Sequence, residues 1–420
     1  MELRPTILLV ACLLWSTATA CTYRTEGRGP EVATRMPAPL PVLPLWSDPL
    51  APSITEVTGN GHPIGFAVLD TNGVAMAMTR LQHEGQVELW RPDAIRLEEL
   101  PLSLDPSVVR SLDARIAIVE LARTDPRRDL GIPPRRAVDG MLFTPHALGE
   151  DRLVVILGSL ARFNPGERWL VTAFLREGWH VLLSSPPITS PDQDLGDATI
   201  ISAGTDPEKA GRVLAGEMEV AIGAWAVGLS TIAGEFQRDG LLPGSSTAIV
   251  GMSSGGLAAP ATAALMDPLR RVDAVALLAT GTDPPVIVAR TSLEDEDLRI
   301  DRRGPWVSQE DLEIFRCSYR AASTLEDDGL WSWFTDRPIL LVEAGFDAAI
   351  PRPSRSALRL RMPDAAHWWI PTGHFGLFAS MINQAGPIVE WVGHACPAGL
   401  KKTGQNPLPV PSERSEAGNR

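Results

Sequence analysis

Five short, nearly unbroken apolar runs punctuate the chain from its middle onward: Leu153–Leu157, His180–Ser184, Thr247–Gly251, Ala274–Leu278 and Ile339–Glu343. Continuous rather than alternating runs suit parallel strands covered on both faces. Between them, residues 166–177, 207–237, 256–267 and 308–330 carry helical patterns. Strand–helix alternation of this kind predicts an α/β sheet with right-handed crossovers. Further upstream, Phe66–Leu69 and Val87–Trp90 read as early strands, with Asn72-Gly73 as a turn signal between them. Two connections, 188–243 and 281–337, are too long to be structureless and are expected to carry helices. The acidic run Glu294–Asp297 within the second reads as a solvated face.

The ends of the chain have a different texture. Met1–Arg4 is a short polar start, Pro5–Trp15 is mostly apolar, and Ser16–Ala20 is built of small residues. The apolar run is about half the length a membrane-spanning helix needs, so residues 1–20 read as a secretory signal peptide with Ala18 and Ala20 before the cleavage point. Cys21 directly after Ala20 resembles the lipobox of bacterial lipoproteins, although Ala18 stands where that pattern usually has Leu. This resemblance implies a cell-envelope lipoprotein, on the periplasmic or surface side, with Cys21 acylated and the membrane reached through the lipid anchor alone; simple secretion is the alternative. Residues 21–53 read as a Pro-rich spacer fit to hold a folded body off a surface, 54–396 as the folded domain, and 397–420 as a disordered polar tail.

Composition narrows the function classes. The chain has 420 residues and a formal net charge of −13, which disfavours nucleic acid as a partner. Four Cys and no Cys-x-x-Cys pair leave neither a disulfide scaffold nor a zinc site, and no metal or cofactor is expected. Cys317 and Cys396 are the two Cys of the folded region, and a bond between them is left open. Gly59–Gly65 departs by one residue from a dinucleotide-binding pattern and reads as a turn.

The chemistry gathers in three short motifs. Gly251-Met252-Ser253-Ser254-Gly255 follows a strand-like run and precedes a stretch of small residues. Such a Ser occupies a strained strand-to-helix turn, where only Gly neighbours permit the close approach of the flanking backbone. Pro260 is expected near the first turn of the helix that follows. A nucleophilic Ser needs a base, and the base needs an orienting acid. Asp347 lies just after the Ile339–Glu343 run, with Asp283 and Glu343 as rival acids. His374 sits in a Gly-flanked loop after Trp368–Ile370, with His367 and His394 as rivals. Trp331, Trp333, Trp368 and Trp369 are candidates for lining an apolar pocket, with core packing the competing role.

These motifs, in the order Ser, Asp, His, resemble the α/β-hydrolase superfamily over roughly residues 135–394. The resemblance implies a mostly parallel sheet flanked by helices, a helical cap inserted at 281–337, and a catalytic triad of Ser253, Asp347 and His374. It further implies an oxyanion hole made by the N–H of Ser254 and one from the loop after Leu157: Ser159 by position, with Leu160 as alternative. The implied activity is that of a serine hydrolase, carboxylesterase- or lipase-like, acting on a small-molecule ester or acyl substrate. A peptidase on the same fold and an inactive binding lipoprotein are the competing readings.

Overall fold

The computed structural model describes residues 23–25, the strand segments between 53 and 87, 109–123, 135–145 and, with short breaks, 152–396. The N-terminal signal peptide, Cys21, the acidic run Glu294–Asp297 and the tail from 397 lie outside the described residues.

In chain order the elements begin with β1 (Tyr23–Thr25), β2 (Ser53–Gly59), β3 (His62–Thr71), β4 (Val74–Arg80), β5 (Gln82–His83), β6 (Gln86–Val87), β7 (Val109–Arg123), β8 (Arg135–Pro145) and β9 (Arg152–Leu157). Then follow α1 (Pro165–Arg176), β10 (His180–Ser184), β11 (Ile188–Thr189), α2 (Pro207–Arg238), β12 (Ser246–Met252), α3 (Ser254–Met266) and β13 (Val272–Leu278). The last are α4 (Pro284–Arg290), α5 (Gln309–Ala322), α6 (Asp328–Thr335), β14 (Ile339–Ala344), α7 (Arg352–Arg361), β15 (Ala366–Ile370), α8 (His374–Ala379) and α9 (Met381–Ala395). All five apolar runs are strands.

One sheet holds nearly all of the strands, in the order β1-β15-β14-β13-β12-β9-β10-β8-β7-β4-β3-β2. The six strands from β10 to β15 in this path are parallel, and β8 runs antiparallel between β10 and β7. From β7 onward the eight principal strands follow the spatial order 1-2-4-3-5-6-7-8 with the second reversed. That is the α/β-hydrolase fold. The early strands extend the same sheet: β3 pairs with β4 on either side of Asn72-Gly73, and of the expected strand at Val87–Trp90 only Val87, in β6, is among the described residues. One part of the expected spacer is also structured, because Tyr23–Thr25 pair antiparallel with the edge strand β15.

Two apolar layers cover the sheet, which is why β9, β10, β12 and β13 are buried along nearly their whole length. On one face α1, α8 and α9 bury Leu170, Phe174, Phe378, Ile388 and Val392 against Ile156, Val250 and Val342. On the other, α2, α3, α6 and α7 bury Leu229, Phe236, Phe334 and Leu358 against Val155, Ile249 and Leu277. Trp333 and Trp368 belong to these layers, so core packing is their role. α2 is long and apolar enough to cross a membrane by length and composition, yet its apolar window is largely buried in the protein.

A third cluster lies outside these two layers. Ala210, Val213 and Leu214 of α2 pack with Ile201, Val288, Ile300, Leu312, Phe315 and Tyr319. Residues of both long connections therefore pack together and are joined by a bridge between Ile201 and Ile300. Of the 281–337 stretch expected to form a cap, α4 and α5 contribute to this cluster, whereas α6 packs in the second layer. α3 also begins earlier than expected, so Pro260 lies in its second turn, where its ring removes one helical hydrogen bond. Cys317 and Cys396 are free thiols, the first exposed and the second buried. Burial, reinforced by the charge of Asp273, pushes the Cys396 thiol up to about 12.

Candidate active site

β12 ends at Met252 and α3 starts at Ser254, leaving Ser253 to make the whole turn at φ 52°, ψ −112°. A positive φ at a residue with a side chain costs about 1–3 kcal/mol and persists only where its surroundings enforce it. Here they do. A Cβ on Gly255 would sit 2.1 Å from the Leu157 carbonyl oxygen, and one on Gly251 would sit 2.7 Å from that of Gly255. The two glycines thus let β12, α3 and the end of β9 meet, and the Ser253 N–H is anchored 2.9 Å from the Leu278 carbonyl. The Ser253 hydroxyl makes no capping bond to α3; it faces the imidazole of His374, with Oγ 3.1 Å from Nε2.

The other nitrogen of His374, Nδ1, lies 2.8 Å from Oδ2 of Asp347. Asp347 Oδ1 accepts the N–H of Ile350 at 2.7 Å, so the carboxylate cannot swing away. Its side chain is fully enclosed and that of His374 is nearly so. Two backbone bonds stitch the acid loop to the base loop: Gly345 N–H to Ile370 O at 2.7 Å and Phe346 N–H to Thr372 O at 2.9 Å. The imidazole is further held edge-on by Phe378 and Phe375. A carboxylate on Nδ1 fixes the proton there, which leaves the Nε2 lone pair to receive the Ser253 proton.

The rival residues have other partners. Asp283 caps α4 in left-handed geometry, and its Oδ2 accepts from Arg316 at 2.6 Å and Arg320 at 2.9 Å, both on α5. Glu343 binds Arg355, Arg359 and His367. Burial alone would raise its carboxyl, but the bonds from His367 and Arg359 and the charges of Arg359 and Arg355 outweigh this and hold it at about 2. His367 is thereby an ion-cluster partner. His394 lines a cleft of about 580 Å³ between α1 and α9, with Trp169, Arg176 and Glu390, outside the triad.

The oxyanion loop requires a correction. The N–H of Ser159 donates to Oε1 of the buried Glu167 at 2.8 Å and is not offered to the space above Ser253. Glu167 also accepts from Asn164, through Nδ2 at 3.0 Å and the backbone N–H at 3.2 Å. Leu160, the next residue, is half exposed at the rim. Ser254 stands at the first position of α3, so its N–H belongs to the helix-start donors without an intrahelical acceptor. Its own hydroxyl donates to the Gly158 carbonyl at 3.5 Å, tying elbow to loop. Glu167 is a residue the sequence reading passed over. Its signal was the capping box Asn164-Pro165-Gly166-Glu167 at the start of α1.

No family model and no curated protein matches the chain. Solved structures with a similar fold include a carboxyl esterase from the mycorrhizal fungus Tuber melanosporum, 17% identical, covering 61% of this chain and 81% of its own, with a TM-score of 0.37. An esterase from Pyrococcus furiosus is 12% identical over 65% of this chain and 93% of its own, with a TM-score of 0.38. A puromycin-hydrolyzing peptidase from Mycobacterium tuberculosis is 15% identical over 82% of this chain and 53% of its own, with a TM-score of 0.43.

Proposed function

We propose that the chain, with its α/β-hydrolase fold, is an exported serine hydrolase that cleaves carboxylic ester or related acyl bonds. The observation that carries this reading is the unbroken relay from Ser253 Oγ through His374 to Asp347, at 3.1 and 2.8 Å. In this reading Ser253 Oγ attacks the substrate carbonyl as its proton passes to His374 Nε2. The imidazolium that forms is stabilised by Asp347 and returns the proton to the leaving alcohol. Water then repeats the sequence on the acyl-enzyme.

The tetrahedral oxyanion is received by the N–H of Ser254, favoured by the N-terminal end of α3. With Ser159 engaged by Glu167, Leu160 is the second donor in this reading. The cap of α4, α5 and the first half of α2 sets the acyl or alcohol group admitted. Export and acylation at Cys21, argued from the leader sequence, place the enzyme in the cell envelope. The test is turnover of a carboxylic ester by the Ser253→Ala variant, which should fall in kcat by on the order of 10⁶ with unchanged folding. Turnover equal to that of the parent contradicts the role of Ser253.

A further inference from the structure

Three of the seven exposed large apolar side chains among the described residues stand around the triad. Phe346 is 68% exposed and directly precedes Asp347; Phe375 is 65% exposed and directly follows His374; Leu160, 50% exposed, lies on the oxyanion loop. Each neighbours a group whose own placement is fixed by hydrogen bonds, so the rim is held in shape while its side chains face water. Large exposed apolar surface gathered at one site marks an interaction surface, whereas scattered single residues need no explanation.

A second observation concerns the first strand. β15 runs toward the catalytic edge of the sheet, because the loop bearing His374 follows its C-terminal end. β1 pairs with it antiparallel, with Tyr23 opposite Trp369 and Thr25 opposite His367. β1 therefore starts at the catalytic edge. Trp369 in turn meets the ring of Phe346 edge-on, with centroids 5.9 Å apart. Two Cα steps of about 3.8 Å each separate Tyr23 from Cys21. The expected acylation point is thus only two residues in sequence from the start of β1, and the Pro-rich segment begins only after β1.

We propose that Leu160, Phe346 and Phe375 dock the catalytic mouth onto a bilayer surface, and that the acyl substrate is a long-chain ester drawn from that surface. The substrate half rests on the serine-hydrolase reading; the docking half does not. The net charge of −13 makes the contact apolar, since such a body gains nothing from the anionic headgroups that attract basic proteins.

The test uses the acylation-competent chain carrying Ser253→Ala and Cys317→Ser, with a fluorophore attached through either Phe375→Cys or Leu360→Cys. Leu360, on α7, is 82% exposed and outside the rim, so a label at either position faces water. On phosphatidylethanolamine–phosphatidylglycerol vesicles containing a nitroxide lipid, the label at 375 should be quenched and the label at 360 should not. A chain that fails to associate with the vesicles, or quenching at 360 equal to or above that at 375, overturns the docking. In the Ser253 background, Phe346→Ser with Leu160→Ser should lower turnover of a vesicle-borne long-chain ester relative to a soluble short-chain ester by on the order of tenfold. An unchanged ratio overturns the substrate class. Absence of turnover on both esters, with docking intact, instead strikes the hydrolase reading.

Discussion

Ser253, His374 and Asp347 are linked by hydrogen bonds, and under the proposed serine-hydrolase function the environment of each sets what its loss should do. Asp347→Asn retains size but offers Nδ1 the wrong partner, so kcat should fall by roughly 10⁴ at neutral pH. Asp283→Asn should leave kcat nearly unchanged, because its Oδ2 is held by Arg316 and Arg320 on α5. A crippled Asp283→Asn enzyme would move the acid to the end of β13. Glu167 works at one remove from the chemistry by shaping the turn that carries Ser159 and Leu160. Glu167→Ala should reduce kcat by about 10² with little change in KM, the signature of a lost transition-state donor, and steady-state kinetics would check it. That Ser253, Asp347 and His374 would meet was legible in the sequence, since strand, Gly-x-Ser-x-Gly and a Gly-flanked His are local signals. The engagement of the Ser159 N–H was not, because it depends on a carboxylate eight residues further along that folds back on Ser159.

At the scale of elements, parallel strands buried on both faces announce themselves as apolar runs, and β9, β10, β12, β13 and β14 all fell where those runs are. β1 could not be read this way: Tyr-Arg-Thr carries no pattern, and it is a strand only because β15 offers an unpaired edge. Two ion clusters join elements and yield stability predictions. Glu343 of β14 is held at about 2 against an ordinary 4.5 by its partners on α7 and β15. Its lowered value means that the unfolded chain binds the proton more readily. The contribution is therefore complete above 4.5 and is lost as pH falls through the window down to about 2. Denaturant titrations should show a stability slope in that window that flattens in Glu343→Gln. The Arg337 side chain is buried, stacks on Trp333 and donates to Asp267, Val272 O and Trp333 O, joining α6, the end of α3 and β13. Arg337→Ala leaves Asp267 without its ion-pair partner and should cost about 3–5 kcal/mol in chemical denaturation.

For the molecule as a whole, the early strands extend the central sheet rather than forming a separate β module, and one helix serves two cores. α2 packs on the sheet with Leu229 and Phe236 and within the third cluster with Val213 and Leu214. The apolar period of α2 was visible in the sequence. Its division between two cores was not, because both halves are equally apolar and only tertiary packing distinguishes them. Asp283, just after β13, is joined to α5 by its ion pairs with Arg316 and Arg320. All of this converges on the reactivity of one hydroxyl. Exposure of the intact, folded protein to a fluorophosphonate probe, followed by peptide mapping, tests it most directly. The account predicts a single covalent adduct on the peptide containing Ser253, absent in Ser253→Ala and strongly slowed in Asp347→Asn. A folded chain that takes up no probe, or takes it up on another residue, would contradict it.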